Sequence, residues 1–151
     1  MKGVIASASI FLFAFILNLV WENSHVFLYT GYDRTISVFN LLLRASLWDA
    51  SFITSVYLLL AAIFEDSHWF NKKGKGKVFL IFTLTFTAAI LVEKSALSSG
   101  RWLYREIMPL LPYFKTGLTP TLQLFATSLL SFGLADLLLP KLFKRQFAKS
   151  L

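Results

Sequence analysis

Residues 4–20 read VIASASIFLFAFILNLV, followed by Trp21-Glu22-Asn23. No charge interrupts the run. Its length approaches the roughly 20 residues that a helix needs to cross about 30 Å of hydrocarbon. A secretory leader is the rival reading, because Lys2 precedes the apolar stretch. The small residues Ala6, Ser7 and Ala8 lie at the start of the run, however, and no small-x-small cleavage site follows Leu19. The run therefore reads as a retained transmembrane helix.

Three more runs of the same kind follow, at about 41–64, 78–97 and 118–139, with the first helix extending over about 4–26. Lipid offers the backbone no hydrogen-bond partners, so spanning segments of this length must be helical. That argument overrides the strand propensity of the Phe- and Thr-rich third run, Phe79 to Thr87. Thr119 and Pro120 mark the start of the fourth helix as N-cap and first helical residue, and Pro140 with Lys141 marks its end. The expectation is one all-α transmembrane domain covering residues 1–151. Its form is a four-helix up-down bundle with both termini in the cytoplasm.

Composition agrees. The chain is 56% hydrophobic and only 15% charged, against about 25% charged in ordinary soluble domains. The net charge of +7 is concentrated in 72–77 and 141–149. Both segments flank apolar runs, so topology and anionic headgroups explain the charge, and nucleic acid does not. Orientation follows from Lys and Arg. Nine (Lys2, Lys72, Lys73, Lys75, Lys77, Lys141, Lys144, Arg145, Lys149) fall on one side and six (Arg34, Arg44, Lys94, Arg101, Arg105, Lys115) on the other. The first side is read as cytoplasmic, which places the connections 23–40 and 98–117 outside.

Ionisable residues inside a membrane span are costly and mark a site by default. Glu22 lies near the outer end of the first helix, Asp49 about two turns into the second, Glu93 and Lys94 near the outer end of the third, and Gln123 about one turn into the fourth. Alternating direction brings them to one layer below the outer surface. Asn18, Glu22, His25 and Tyr29 share one face if the first helix continues past Asn23. Arg44 and Lys94 supply positive charge beside these carboxylates. The second outer connection adds Arg101, Trp102, Tyr104 and Arg105. Trp and Tyr suit the interface, and arginines four apart suit bidentate recognition of phosphate or carboxylate.

Each feature has a plainer reading. Glu22 can pair with Arg44 or Arg101, and Asp49 with Lys94, as helix-to-helix ties. His25 can be an interfacial hydrogen-bonder. Arg101 and Arg105 can touch headgroups without specificity.

There is no cysteine, so disulfides, thiolate metal sites and thiol nucleophiles are excluded. Gly-rich phosphate loops, HExxH, GxSxG and paired haem-ligating histidines are absent from the sequence, and no cofactor or metal is expected. The apolar inner halves of the helices argue against a continuous aqueous path.

The strings Trp21-Glu22, Leu28-Tyr29-Thr30, Leu42-Leu43-Arg44-Ala45, Trp48-Asp49-Ala50, Arg101-Trp102-Leu103-Tyr104, Met108-Pro109 and Gly117-Leu118-Thr119-Pro120 resemble a family of small bacterial four-helix integral membrane proteins with no assigned activity. The resemblance implies a bacterial inner-membrane protein and no reaction. Architecture alone is similar to sterol isomerases and related sterol-binding proteins; no motif matches them.

The leading expectation is a membrane-embedded enzyme or binding protein for a lipid or isoprenoid. Its polar pocket would open toward the outer leaflet. Glu22 or Asp49 would act as general acid or base, with Glu93 and His25 as partners. Asn18, Tyr29, Arg44, Lys94, Arg101, Trp102, Tyr104, Arg105 and Gln123 would bind the ligand. The rival is a non-catalytic accessory or scaffold subunit, assembling with itself or with another membrane protein. A small transporter is third.

Overall fold

The computed structural model describes residues 2–32, 36–71 and 74–148, with side chains described over 3–32, 36–71 and 74–139. Arg34, Lys72, Lys73 and Lys149 lie outside the described residues, as do the side chains of Lys2, Lys141, Lys144 and Arg145.

The described chain is helical: α1 spans Lys2–His25, α2 Ile36–Ile63, α3 Lys75–Ser98 and α4 Leu118–Ala148. Four segments, one in each helix, are long and apolar enough to cross a membrane, which makes this a multi-pass membrane protein by length and hydropathy. α1 packs along α2 and α4, and α3 packs on α4, whereas α2 meets α3 and α4 at only a few places each.

The helix contacts follow from a four-residue period. On α1, Ala6, Ile10, Ala14 and Asn18 are all fully buried. On α3, Ile81, Thr85, Ala89 and Glu93 are buried at the same spacing. Residues four apart lie on one helix face, and the small members let the backbones approach closely, as helix contacts in lipid require. Buried hydroxyls bond their own helices: Ser46 to Leu42 O at 2.8 Å, Thr85 to Ile81 O at 2.8 Å and Ser131 to Thr127 O at 2.6 Å. These three hydroxyls are thereby satisfied within their own helices, whereas the buried Ser128 Oγ has no partner among the described residues.

One end of the bundle is closed by aromatics. Tyr57 Oη donates to Ser67 O at 2.9 Å, and Trp69 Nε1 donates to Tyr57 O at 3.2 Å. Phe70 and Phe132 pack against both rings. Gly3 lies beside Ser67, where a Cβ on the glycine would sit 3.6 Å from the serine Cβ.

Helix boundaries in α2 and α4, and the cap of α4, differ from the sequence reading. α2 begins at Ile36, about a turn before residue 41, so Asp49 sits near its middle. α4 begins at Leu118. Gly117 takes the cap position, its carbonyl receiving the Thr121 N–H at 3.2 Å, while the Thr119 hydroxyl turns to Met108 Sδ at 3.7 Å. Pro120 still lies in the first turn, where the N–H it lacks would have no partner. α4 also continues through Pro140 to Ala148. The following sequence, KLFKRQFA, is rich in good helix formers, and one proline removes only one backbone bond of the ladder.

Candidate functional site

The four-residue period on α1 that buries Ala14 and Asn18 reaches Glu22 one turn later. On α3 the same period ends at Glu93, and on α4 it joins Gln123 to Thr127. Asp49 lies on α2 three residues after buried Ser46. These residues meet at the end of the bundle opposite the Trp69 cluster.

Gln123 is the centre. Its Nε2 lies 2.8 Å from Glu22 Oε1, 3.0 Å from Asp49 Oδ2 and 3.0 Å from Asn18 Oδ1. The orientation of the amide follows, since Oε1 in that place would face three oxygens. An amide carries two N–H hydrogens, so three acceptors exceed its capacity. Asn18 Nδ2 is spent on Ala14 O at 2.8 Å, and Thr127 Oγ1 is the other described donor hydrogen-bonded within this group. It lies 3.2 Å from Asn18 Oδ1 and 2.8 Å from Gln123 O, with one hydrogen for both. The cluster is therefore rich in acceptors and short of donors.

Glu93 forms the neighbouring part. Tyr104 Oη donates a short hydrogen bond to Glu93 Oε2 and accepts one from the Gly117 N–H at 2.9 Å. The Trp102 indole N–H is directed toward Glu93 but closes no full hydrogen bond with it. Glu22, Asp49 and Glu93 lie within electrostatic reach of one another. No Lys or Arg opposes any of them among the described residues; the one cationic-capable neighbour is His25, beside Glu22.

Over this cluster lies an aromatic cap. After α1, a single 3-10 turn, Val26–Leu28, leads to extended Tyr29. Thr30 N donates to Leu103 O and Arg105 N to Leu28 O, both at 2.9 Å, so Tyr29 pairs with Tyr104 across an antiparallel bridge. Tyr29 packs on His25, Tyr32, Trp102 and Tyr104, with ring centroids 5.6–6.2 Å apart. Met108 is buried beneath them. Burial pushes the Tyr29 phenol up, and Glu93 and Glu22 push it further. Burial and the bond to Glu93 raise Tyr104. Both hydroxyls stay protonated as donors. His25 Nδ1 lies 2.7 Å from Trp21 O. A carbonyl only accepts, so Nδ1 carries the hydrogen and Nε2 is left for exchange.

The structure thus brings together Asn18, Glu22, His25, Tyr29, Asp49, Glu93, Trp102, Tyr104 and Gln123. It does not bring the cations with them. Arg44 is exposed on α2. Lys94 is exposed, with its ammonium over the Phe114 ring at 5.8 Å. The 99–117 segment is not a helix, so its arginines do not share a face. Arg101 bonds Ser95 and Ser99 hydroxyls and lies over Trp102. Arg105 Nε donates to Tyr29 O at 3.1 Å. The ion pairs drawn from the sequence, Glu22 with Arg44 or Arg101 and Asp49 with Lys94, do not form. Among the described residues no group of His, Asp and Glu has metal-holding geometry.

Two participants escaped the sequence reading. Thr127 was signalled by its position four residues after Gln123. The Gly117 N–H was not, since a backbone donor in a turn carries no residue-type signal. No known protein family, curated protein or solved structure is significantly similar to this chain.

Proposed function

We propose that this protein is a membrane-embedded binding protein or enzyme for a lipid or isoprenoid whose polar head donates hydrogen bonds, an alcohol or an amine. The observation that carries this reading is the donor shortage around Gln123, with three carboxylates and no opposing Lys or Arg. In lipid, unmet acceptors are costly, and a hydroxyl or ammonium head meets them. An anionic head held by arginines is disfavoured, because Arg44, Arg101 and Arg105 are turned elsewhere.

In this reading the chain is an up-down bundle with cytoplasmic termini in a bacterial inner membrane, and the aromatic cap faces outward. The scarce contact between α2 and α3 offers a lateral way in from the bilayer, between Asp49 on one helix and Glu93 on the other. In an enzymatic version Glu22 or Asp49 moves a proton on the substrate, with His25 Nε2 as exchange partner.

A second reading has its own support. Gln123 joins α4 to α1 and α2 at once, as the glue of a scaffold or accessory subunit would.

Lipid mass spectrometry on protein purified in mild detergent separates the two, comparing wild type with Glu22→Gln and Asp49→Asn. A defined hydroxylated or amine-bearing lipid that copurifies with wild type and drops several-fold in either variant is the expected result. Bulk phospholipid alone, unchanged in both, overturns the ligand site in favour of the scaffold.

A further inference from the structure

At the beginning of α3 lies a second feature, separate from the carboxylates. An open groove of about 600 Å³ is lined by Gly74, Lys75, Val78, Phe79, Phe82 and Phe125, a size within the roughly 300–1,000 Å³ of ligand pockets. Phe82 and Phe125 form its floor, edge to face with centroids 5.2 Å apart. Phe79 and Val78 stand exposed on its wall. Beyond the lysine, its lining is apolar or glycine.

Its mouth is positive. Lys75 is exposed, and no described group takes its ammonium. Lys77, by contrast, is committed to Trp69 O at 2.6 Å and to the Phe64 ring. The cap residue Gly74 brings no side chain to the first turn of α3, which concentrates the positive end of the helix dipole at the same point. Space beside Gly74 and Gly76 is open. The sequence adds Lys72 and Lys73 immediately before this turn.

A wholly apolar trough with its charge at one end matches an amphipathic anion. The span of α3 begins at Lys75, so the charged end falls at headgroup depth and the phenylalanines at acyl depth. We infer that this groove binds an anionic phospholipid, one acyl chain lying along Phe79, Phe82 and Phe125 and the phosphate held at Lys75. A zwitterionic lipid offers the same chain but cancels the attraction with its own cation.

Native mass spectrometry of the full chain tests this, after exchange from nanodiscs containing equal phosphatidylglycerol and phosphatidylcholine. Wild type should retain one phosphatidylglycerol with about fivefold preference. Lys75→Glu, at a position without partners among the described residues, should remove the preference, and Val78→Trp, which fills the trough, should reduce retention of both lipids. Equal retention of the two lipids by wild type overturns the inference, as does a phosphatidylglycerol preference that survives Lys75→Glu. A lipid-free dimer dissociated by Val78→Trp also overturns it, by showing a second copy in the groove.

Discussion

Gln123 carries more of the architecture than any other single side chain in the site. Replacing it with leucine keeps the volume roughly and removes both N–H donors, leaving Asp49 without its described hydrogen-bond donor and Glu22 with His25 alone beside it. An unsatisfied buried polar group costs about 1–3 kcal/mol, and cross-helix bonds in membranes average about 0.6 kcal/mol. Gln123→Leu should therefore destabilise the bundle by about 1–3 kcal/mol in reversible unfolding from mixed micelles. A change below about 0.5 kcal/mol would show that the amide does not tie the helices.

The tyrosines of the cap give a second residue-level expectation. Tyr29 and Tyr104 have phenols raised by burial and by carboxylates, so the folded state holds their protons more tightly than the unfolded chain does. Their contribution is complete below the ordinary phenol value near 10 and is lost as pH climbs through the raised folded values. Stability should thus be level with respect to these two groups through neutral pH and fall above about pH 10. Tyrosinate absorbance should show the high-pH fall shrinking in Tyr104→Phe; an unchanged fall would detach it from that hydroxyl. The four-residue spacing already placed Asn18 beside Glu22, and the residue types identified the carboxylates. The missing cations were not legible, because sequence gives the level of Arg44 or Lys94 along a helix but not the side chain's escape to the surface.

At the scale of elements, the four spans were legible because hydropathy and length are local properties. Irregular pairing was not. The bridge between Tyr29 and Tyr104 joins residues far apart in sequence through backbone groups, and nothing in residue type announces it. The beginning of α2 at Ile36 and the passage of α4 through Pro140 were hidden for a related reason: apolar runs report the thickness of hydrocarbon, whereas helices extend past it into the interface. The packing of α1 against the α2–α3 connection is directly testable, since the chain has no cysteine of its own. Gly3→Cys with Ser67→Cys should close a disulfide on mild oxidation. The 3.6 Å Cβ spacing lies within the roughly 3.5–4.5 Å that the bond requires. Failure to cross-link would separate these two segments.

For the whole molecule the chief expectation concerns direction in the membrane. Gly76, with open space around it, and Tyr113, 96% exposed, stand at opposite ends of the proposed bundle. In intact cells an impermeant maleimide should label Tyr113→Cys at once and Gly76→Cys only after permeabilisation. The reverse pattern would invert the orientation, and labelling of both from one side would refute the alternating traverse.

The near absence of contact between α2 and α3 also has a consequence for biogenesis. The packing of α1 on α2 is the most extensive of the helix pairs, so these two helices, adjacent in sequence, are expected to pair first. α3 then meets the preceding segment only near its start, where Lys77 reaches Trp69 O and the Phe64 ring, and its packing face is covered when α4 docks on it. α4 is thus the helix that joins the other three: it packs on α3, and through Gln123 it bonds α1 and α2.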